Sequence, residues 1–499
     1  MLRRGGSAVD AAVATNAVLT VVYPGSCGIG GDALAMVYEP RTGETTCYNG
    51  SGAASAGLHA AALRERGLRE MPVRGAMTVT APGAVRAWET LLAAHGRMGL
   101  DEVLAPAELF ARDGFVVTDV LAAAFALNEV LLTANGEAAS LFFARGTPRP
   151  GDVVANPPLA RTLGYIRAHG ATAFYEGRIA EAIVGAVRAG GNPMHAGDLA
   201  AVRAQRVSPV VVWWHGAQVL AHPPNSQGAL APMVLGMLEG DAARDSLEWH
   251  HLALEAIKLA FDVRDERFGD SASGFEQIED LLLPQTLASM RARIDPLRAR
   301  SRAAALDRGG TIAVVAVDEE GRAISLIESL FMGFGSGLMA DGTGIFLHNR
   351  GAYFTLEPGH PNELSGGKRP LHTLSPGMLL RDGKPELVYG TMGGDGQVQT
   401  HVQLLHNVYE RGLDVQRAID APRFVYGRDS ESAFADVVRV ESRMPADLVA
   451  GLRERGHAVS VIGAYENALG HASAIAFDHA RGTLAGGSDP RADSAAFGL

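Results

Sequence analysis

Residues 307–321 read DRGGTIAVVAVDEEG, a glycine pair directly before a threonine that opens an alternating strand pattern. A hydroxyl in that place has two readings. One is a turn running into a strand. The other is self-cleavage, in which the Thr311 hydroxyl attacks the carbonyl of Gly310 and Thr311 becomes a new N-terminus. The attack needs a distortable peptide with little bulk beside it. Gly309 and Gly310 meet that need, because glycine reaches backbone conformations closed to other residues. Once freed, the α-amino group of Thr311 has a pKa low enough to act as base for its own hydroxyl. The developing oxyanion then needs preorganised N–H donors. GTMGGDGQ offers them, since Gly393 and Gly394 lack a Cβ and leave their amides approachable. Each piece alone fits an ordinary turn; the combination points to chemistry.

Other chemistries fit less well. GSCGIGGD precedes the strand pattern ALAMVYEP, not a helix, so the phosphate-at-helix-terminus logic of a dinucleotide site fails. SGGKRP lacks the spacing of a phosphate-binding loop, and neither G-x-S-x-G nor H-E-x-x-H occurs. The 16 histidines show no metal-ligand spacing. No metal and no cofactor is called for. A net charge of -11 argues against a nucleic-acid partner, which needs clustered Lys and Arg. Cys27 and Cys47 are the only cysteines, and no apolar run is long enough to span a membrane.

Elements that could position Thr311 follow from periodicity. Ala and Val at three- and four-residue spacing predict a helix over 7–20. Two strands flank the turn EPRTGE, and residues 81–128 read as mostly helical. Strands, a turn at Pro223 and Pro224, and a helix follow. DSLEWHHLALEAIKLAFDVRDERFGD, 245–270, forms a long amphipathic helix pattern. The polar, basic stretch LRARSRAAALDRG, 297–309, reads as a mobile surface loop. After Thr311, two strands flank DEEG and a helix begins near Gln399. The mixture predicts an α/β (α+β) protein with antiparallel sheets covered by helices.

At this level of detail the chain resembles the γ-glutamyltranspeptidases of the N-terminal nucleophile hydrolase superfamily. The resemblance rests on ordered motifs along nearly the whole chain: LRRGGSAVDAAVATNAVLTVVYP, GIGGDALAMVY, APGAVRAWETLLAAHG, HPPNSQGALAPMVLGMLEG, GGTIAVVAVDEEGRAISLIESLFMGFGSG, GTGIFLHNRGAYF, GGKRPLHTLSPGM, YGTMGGDGQ and AIDAPRF. It implies a four-layer αββα sandwich made as one precursor. Residues 1–310 would be the large-subunit part and 311–499 the small-subunit part, with cleavage between Gly310 and Thr311. Thr311 would be the nucleophile, Ser329 the second hydroxyl beside it, and Gly393 and Gly394 the oxyanion donors. The partners implied are a small-molecule amide, water or an amine as acceptor, and the two subunits of one precursor, with a dimer of such pairs left open.

The departures are as informative. Where the family places polar groups for a γ-glutamyl head, this chain has Phe331, Arg350, Tyr353, His372 and Thr373. No Arg occurs between Arg41 and Arg64, where the family's carboxylate-binding Arg belongs. Arg350 would repel an α-ammonium and attract an anion. This pattern looks more like the branch that includes oxamate amidohydrolase. The expected activity is therefore an autoprocessing amidohydrolase. The alternatives are a true γ-glutamyltransferase and an unprocessed relative that binds without catalysis. The family's short strand before LRRGGSAVD has no counterpart, so a truncated or misassigned start is expected. Without a signal-peptide pattern the expected location is cytoplasmic.

Overall fold

The computed structural model describes residues 1–240, 246–270, 278–302, 310–427 and 436–499. Helix α1 (Ala8–Val22) starts on a capping box in which Ser7 and Asp10 satisfy each other's backbone amides. Its alanines let it lie close on the sheet beneath. Strands β1 (Asp32–Glu39) and β2 (Glu44–Gly50) form the hairpin around EPRTGE, and helix α2 (Ala84–His95) packs over them. Strands β3 (Gln205–Val207), β4 (Val210–Trp214) and β5 (Ala217–Ala221) follow a helical stretch. Helices α3 (Leu230–Leu238) and α4 (Leu247–Arg267) come next. Then come β6 (Gly310–Val317), β7 (Ala323–Phe331), β8 (Gly377–Arg381), β9 (Lys384–Thr391), helix α5 (Gly396–Leu405), β10 (Ala472–Asp478) and β11 (Thr483–Ser488).

The first sheet has the order β3-β2-β1-β7-β6, and the second β11-β10-β9-β8-β5-β4. Both are antiparallel. Side chains alternate across each strand, so each sheet offers one face to helices and one to the other sheet. Ile312, Val314 and Ala316 of β6 join the core under α1 and α2, whereas Ala313, Val315 and Val317 face the second sheet. Met36, Met378, Leu380 and Val388 pack between the sheets. Val219, Leu379 and Leu387 pack on the far side with α3, α4 and α5. The result is the expected four-layer αββα sandwich.

One expectation changes. Residues 297–302 carry no helix or strand, but they are not free. The amides of Ala299, Arg300 and Arg302 donate to Arg455 O, Glu255 Oε2 and Asp436 Oδ2, and the Arg302 side chain is held by Asp262 and Asp265. Basic residues that read as solvated are countered by carboxylates on α4. The rest of that stretch, 303–309, lies outside the described residues and Gly309 with it.

Candidate active site

Strand pairing brings the predicted hydroxyls together. β6 and β7 pair Gly310 with Phe331 and Ile312 with Glu328, so Thr311 stands against two residues, Ser329 and Leu330. Such a bulge re-aims a side chain without ending the strand. Thr311 and Ser329 both point between the sheets, where Thr311 is 1 % exposed. The Thr311 hydroxyl donates to Ser329 Oγ at 3.1 Å. Ser329 Oγ in turn donates to the carbonyl of Gly310 at 2.5 Å and accepts from the amide of Phe331 at 2.7 Å. Phe331 holds φ at 76°, an uncommon value for a bulky residue, at the end of the bulged strand.

Arg350 lies next to this pair. It is fully buried, with Nη1 donating to Thr373 Oγ1 at 3.0 Å and Nη2 to Ser329 Oγ at 3.4 Å. Its guanidinium stacks on the Phe331 ring at 4.3 Å, and the Phe331 and Tyr353 rings are 5.2 Å apart. Its Nε has no partner, and among the described residues it forms no ion pair. Burial pulls the Arg350 pKa down to about 10, against the opposing pull of Asp32, Tyr353 and Asp395. A buried guanidinium with spare donors suits a planar anion.

Gly393 and Gly394 form the turn between β9 and α5, with φ at 131° and 55°, values that favour glycine. Gly396 N and Gln397 N close the turn onto their carbonyls. Among the described residues, neither the Gly393 nor the Gly394 amide donates a hydrogen bond. Gly390, three residues earlier, sits against Ala313 and Ser325, which sets the turn near the start of β6. Hydrogen bonds run without a break from Thr311 through Ser329 and Arg350 to Thr373. From there the Gln227 carboxamide, which takes both the Thr373 and Gly394 carbonyls, leads to the glycine turn.

Two predicted lining groups are otherwise engaged. His372 is fully buried and its Nε2 lies 3.2 Å from Asp32 Oδ2, while its Nδ1 accepts from Leu374 N at 3.3 Å. Burial, seconded by Arg350, pushes its pKa down to about 3. The Tyr353 hydroxyl donates to Asp395 Oδ1, and burial together with that carboxylate raises its pKa far above the usual phenol value.

Asp32 is one residue that motif reading missed. It pairs with Ser329 across the β1–β7 ladder, so Asp32, Ser329 and Thr311 form one row on the inner face. Its Oδ1 accepts from Gly52 N and Gly83 N, and its Oδ2 lies 3.4 Å from His348 Nδ1 as well as near His372. Burial would raise its pKa, but His348, His372 and Arg350 outweigh it and hold the group ionised. Its signal was the one charge in GSCGIGGD. Gln227, Arg264 and Asp395 were missed too, since their partners are distant in sequence.

Among the described residues, no cluster of three or more His, Cys, Asp or Glu side chains could hold a metal ion, and no helix is long and apolar enough to cross a membrane. A cavity of about 720 Å³ lies elsewhere, lined by Trp213, Met237, Leu282 and Leu287, and includes none of the groups above.

The comparisons agree with this architecture. Residues 1–499 match the family described as gamma-glutamyltranspeptidase. The chain is 37% identical over 507 residues to the glutathione hydrolase-like YwrD proenzyme of Bacillus subtilis, covering 100% of this chain and 95% of that one. It is 36% identical over 508 residues to the oxamate amidohydrolase proenzyme of Klebsiella pneumoniae, again covering 100% and 95%. The crystal structure of cephalosporin acylase from Bacillus halodurans superposes with a TM-score of 0.91 at 34% identity, covering 99% of this chain and 91% of that one. The fold is thus that of the N-terminal nucleophile hydrolases. The chain belongs to the γ-glutamyltranspeptidase family, in a neighbourhood of proenzymes with hydrolase and acylase names.

Proposed function

We propose that the chain is an autoprocessing amidohydrolase that cuts itself between Gly310 and Thr311 and then uses Thr311 to hydrolyse a small amide carrying a carboxylate. The observation that carries the proposal is the Ser329 hydroxyl joining the Thr311 hydroxyl to the Gly310 carbonyl. Thr311 Oγ attacks the Gly310 carbonyl carbon. Its proton passes to Ser329 Oγ, while the proton of Ser329 goes to the Gly310 oxygen. The C–N bond breaks, the nitrogen takes up a proton, and water hydrolyses the resulting ester to a Gly310 carboxylate and a free Thr311.

In turnover the Thr311 α-amine, neutral in part near pH 8, accepts the Oγ proton as Oγ attacks the substrate carbonyl. The Gly393 and Gly394 amides receive the oxyanion. The amine leaves with a proton, and water or another amine takes the acyl group. Residues 1–310 and 311–499 remain one body, because β1 and β2 precede the cut while β7 and all of β6 beyond Gly310 follow it within a single sheet.

Arg350 narrows the substrate. Arg350, whose free donors would hold the carboxylate, lies only two hydrogen bonds from Thr311, so a short acyl group fits, as in the relative named for oxamate. The Phe331 and Tyr353 rings packed beside a cation disfavour a zwitterionic γ-glutamyl head. Mass measurement of the purified protein, followed by an amide screen, tests the proposal. Two fragments and preference for small anionic amides over glutathione are expected. An intact, fully active chain, or efficient use of glutathione, would overturn it.

A further inference from the structure

The Gln227 side chain is fully buried and joins two parts of the proposed site. Its Nε2 donates to Thr373 O at 3.2 Å and to Gly394 O at 3.0 Å, and its Oε1 accepts from Arg264 Nη1 at 2.9 Å. These partners fix the orientation of the amide, since carbonyls only accept and a guanidinium only donates. Arg264 is itself fully buried on α4 and donates to Asp395 Oδ1 at 2.7 Å, the oxygen that also takes the Tyr353 hydroxyl.

Sheet topology explains why this bridge is needed. β5 pairs with β8 and β8 with β9, so the end of β5, the start of β8 and the end of β9 lie side by side. Three loops leave that edge, carrying Gln227, Thr373 and Gly394. The backbone ties the first two together through Gln227 N to His372 O and His372 N to Asn225 O, each at 2.8 Å. The glycine turn is joined to them by the Gln227 side chain. A second link, Ser375 N to Gln397 Oε1 at 3.0 Å, reaches the Gly394 carbonyl only through the helix, by way of the Gln397 amide that donates to it at 3.2 Å.

We infer that Gln227 is a positioning residue that sets the spacing between the Arg350 guanidinium and the Gly393–Gly394 amides, and so selects the length of the acyl group. The inference rests on the roles proposed above for Arg350 and the glycine pair. A substrate held by its carboxylate at Arg350 and by its carbonyl oxygen at the glycine amides must span the gap between them. Thr373 orients Arg350, Gly394 belongs to the oxyanion turn, and one carboxamide nitrogen holds both carbonyls. With that nitrogen gone, the turn can shift relative to the anion site. A shift of about 1 Å costs an enzyme roughly a hundredfold in rate.

The test is steady-state kinetics of self-cleaved wild type, Gln227→Met and Gln227→Glu with oxamate, malonamate, succinamate and the neutral acetamide. Wild type should prefer one anionic length by at least about tenfold. Gln227→Met should lower kcat for that length by about ten- to a hundredfold and level the preference, with self-cleavage complete; the buried groups it leaves unpaired lower the thermal midpoint, so the kinetics are read well below that midpoint. Gln227→Glu is nearly isosteric and places an oxygen against both carbonyls, so it should act in the same direction. It decides the matter if the Met variant does not fold. Variants that both keep the wild-type kcat and length preference overturn the inference and leave the function standing. A wild type that uses acetamide as readily as every anionic amide overturns the role of Arg350 itself.

Discussion

The hydroxyls of Thr311 and Ser329 meet at 3.1 Å because β7 carries one residue more than β6 at that point of their ladder. Ser329 is thereby placed to reach both the Thr311 hydroxyl and the Gly310 carbonyl. Self-cleavage should depend on this pair in graded fashion. Thr311→Ala should leave a single chain on a denaturing gel, and Thr311→Ser should still be cut. Ser329→Ala should slow cleavage by about a hundredfold, the usual contribution of a positioned proton-transfer group. Cleavage of Ser329→Ala at the wild-type rate would remove Ser329 from the mechanism.

Gly393→Val probes the oxyanion turn. An added Cβ would meet Gly470 Cα at 3.4 Å, an ordinary contact, so the side chain has room. The conformation is the obstacle, since φ is 131° and a β-branched residue avoids it. The turn should relax and move its amides, lowering kcat about a hundredfold while the protein stays soluble. Turnover within a few-fold of wild type would show that these amides do not hold the oxyanion.

Replacing Arg350 separates anion binding from chemistry. Charge-assisted hydrogen bonds of this kind contribute about 1.5–3 kcal/mol, or roughly ten- to a hundredfold in affinity. Arg350→Met should raise KM for an anionic amide by that factor and leave KM for a neutral amide nearly unchanged. Equal effects on both would mean that Arg350 only supports the fold around Ser329 and Thr373.

Glu328 gives the stability a pH signature. Its side chain is fully buried on the helix-facing side of β7, and burial, with Asp32 adding to it, raises its pKa well above the ordinary carboxylate value. The Gly28 amide at 3.0 Å and Asn16 at 3.4 Å oppose this only in part. Above the unfolded-state pKa the native chain therefore holds a proton that the unfolded chain has lost. Stability should fall as pH rises through that window, by at most about 1.4 kcal/mol per pH unit. Urea midpoints measured from pH 5 to pH 8 in a Thr311→Ala background, which keeps the chain in one piece, should show the decline. Glu328→Gln should flatten it, and an unchanged slope in that variant would assign the dependence elsewhere.

Local signals in the chain reached a long way. The glycine pair before a strand-initial hydroxyl marked Thr311, and paired glycines without a Cβ marked the turn at Gly393. Alternating apolar residues in TIAVVAVDEEG and helical spacing in SAVDAAVATNAV defined strands and helix, and sheets covered by helices followed because each face must be covered, while the four-layer order came with the family resemblance. All of these are readable within a few residues of one another. The ladder decided the rest. Asp32 becomes Ser329's neighbour only when β1 pairs with β7, some 300 residues away along the chain. The reach of Ser329 depends on a bulge that no propensity marks, and Gln227 finds Thr373 and Gly394 only where three loops leave one sheet edge. A residue's type and local spacing state which chemistry it can do; register and loop convergence, set by burial over the whole chain, state what it does it with.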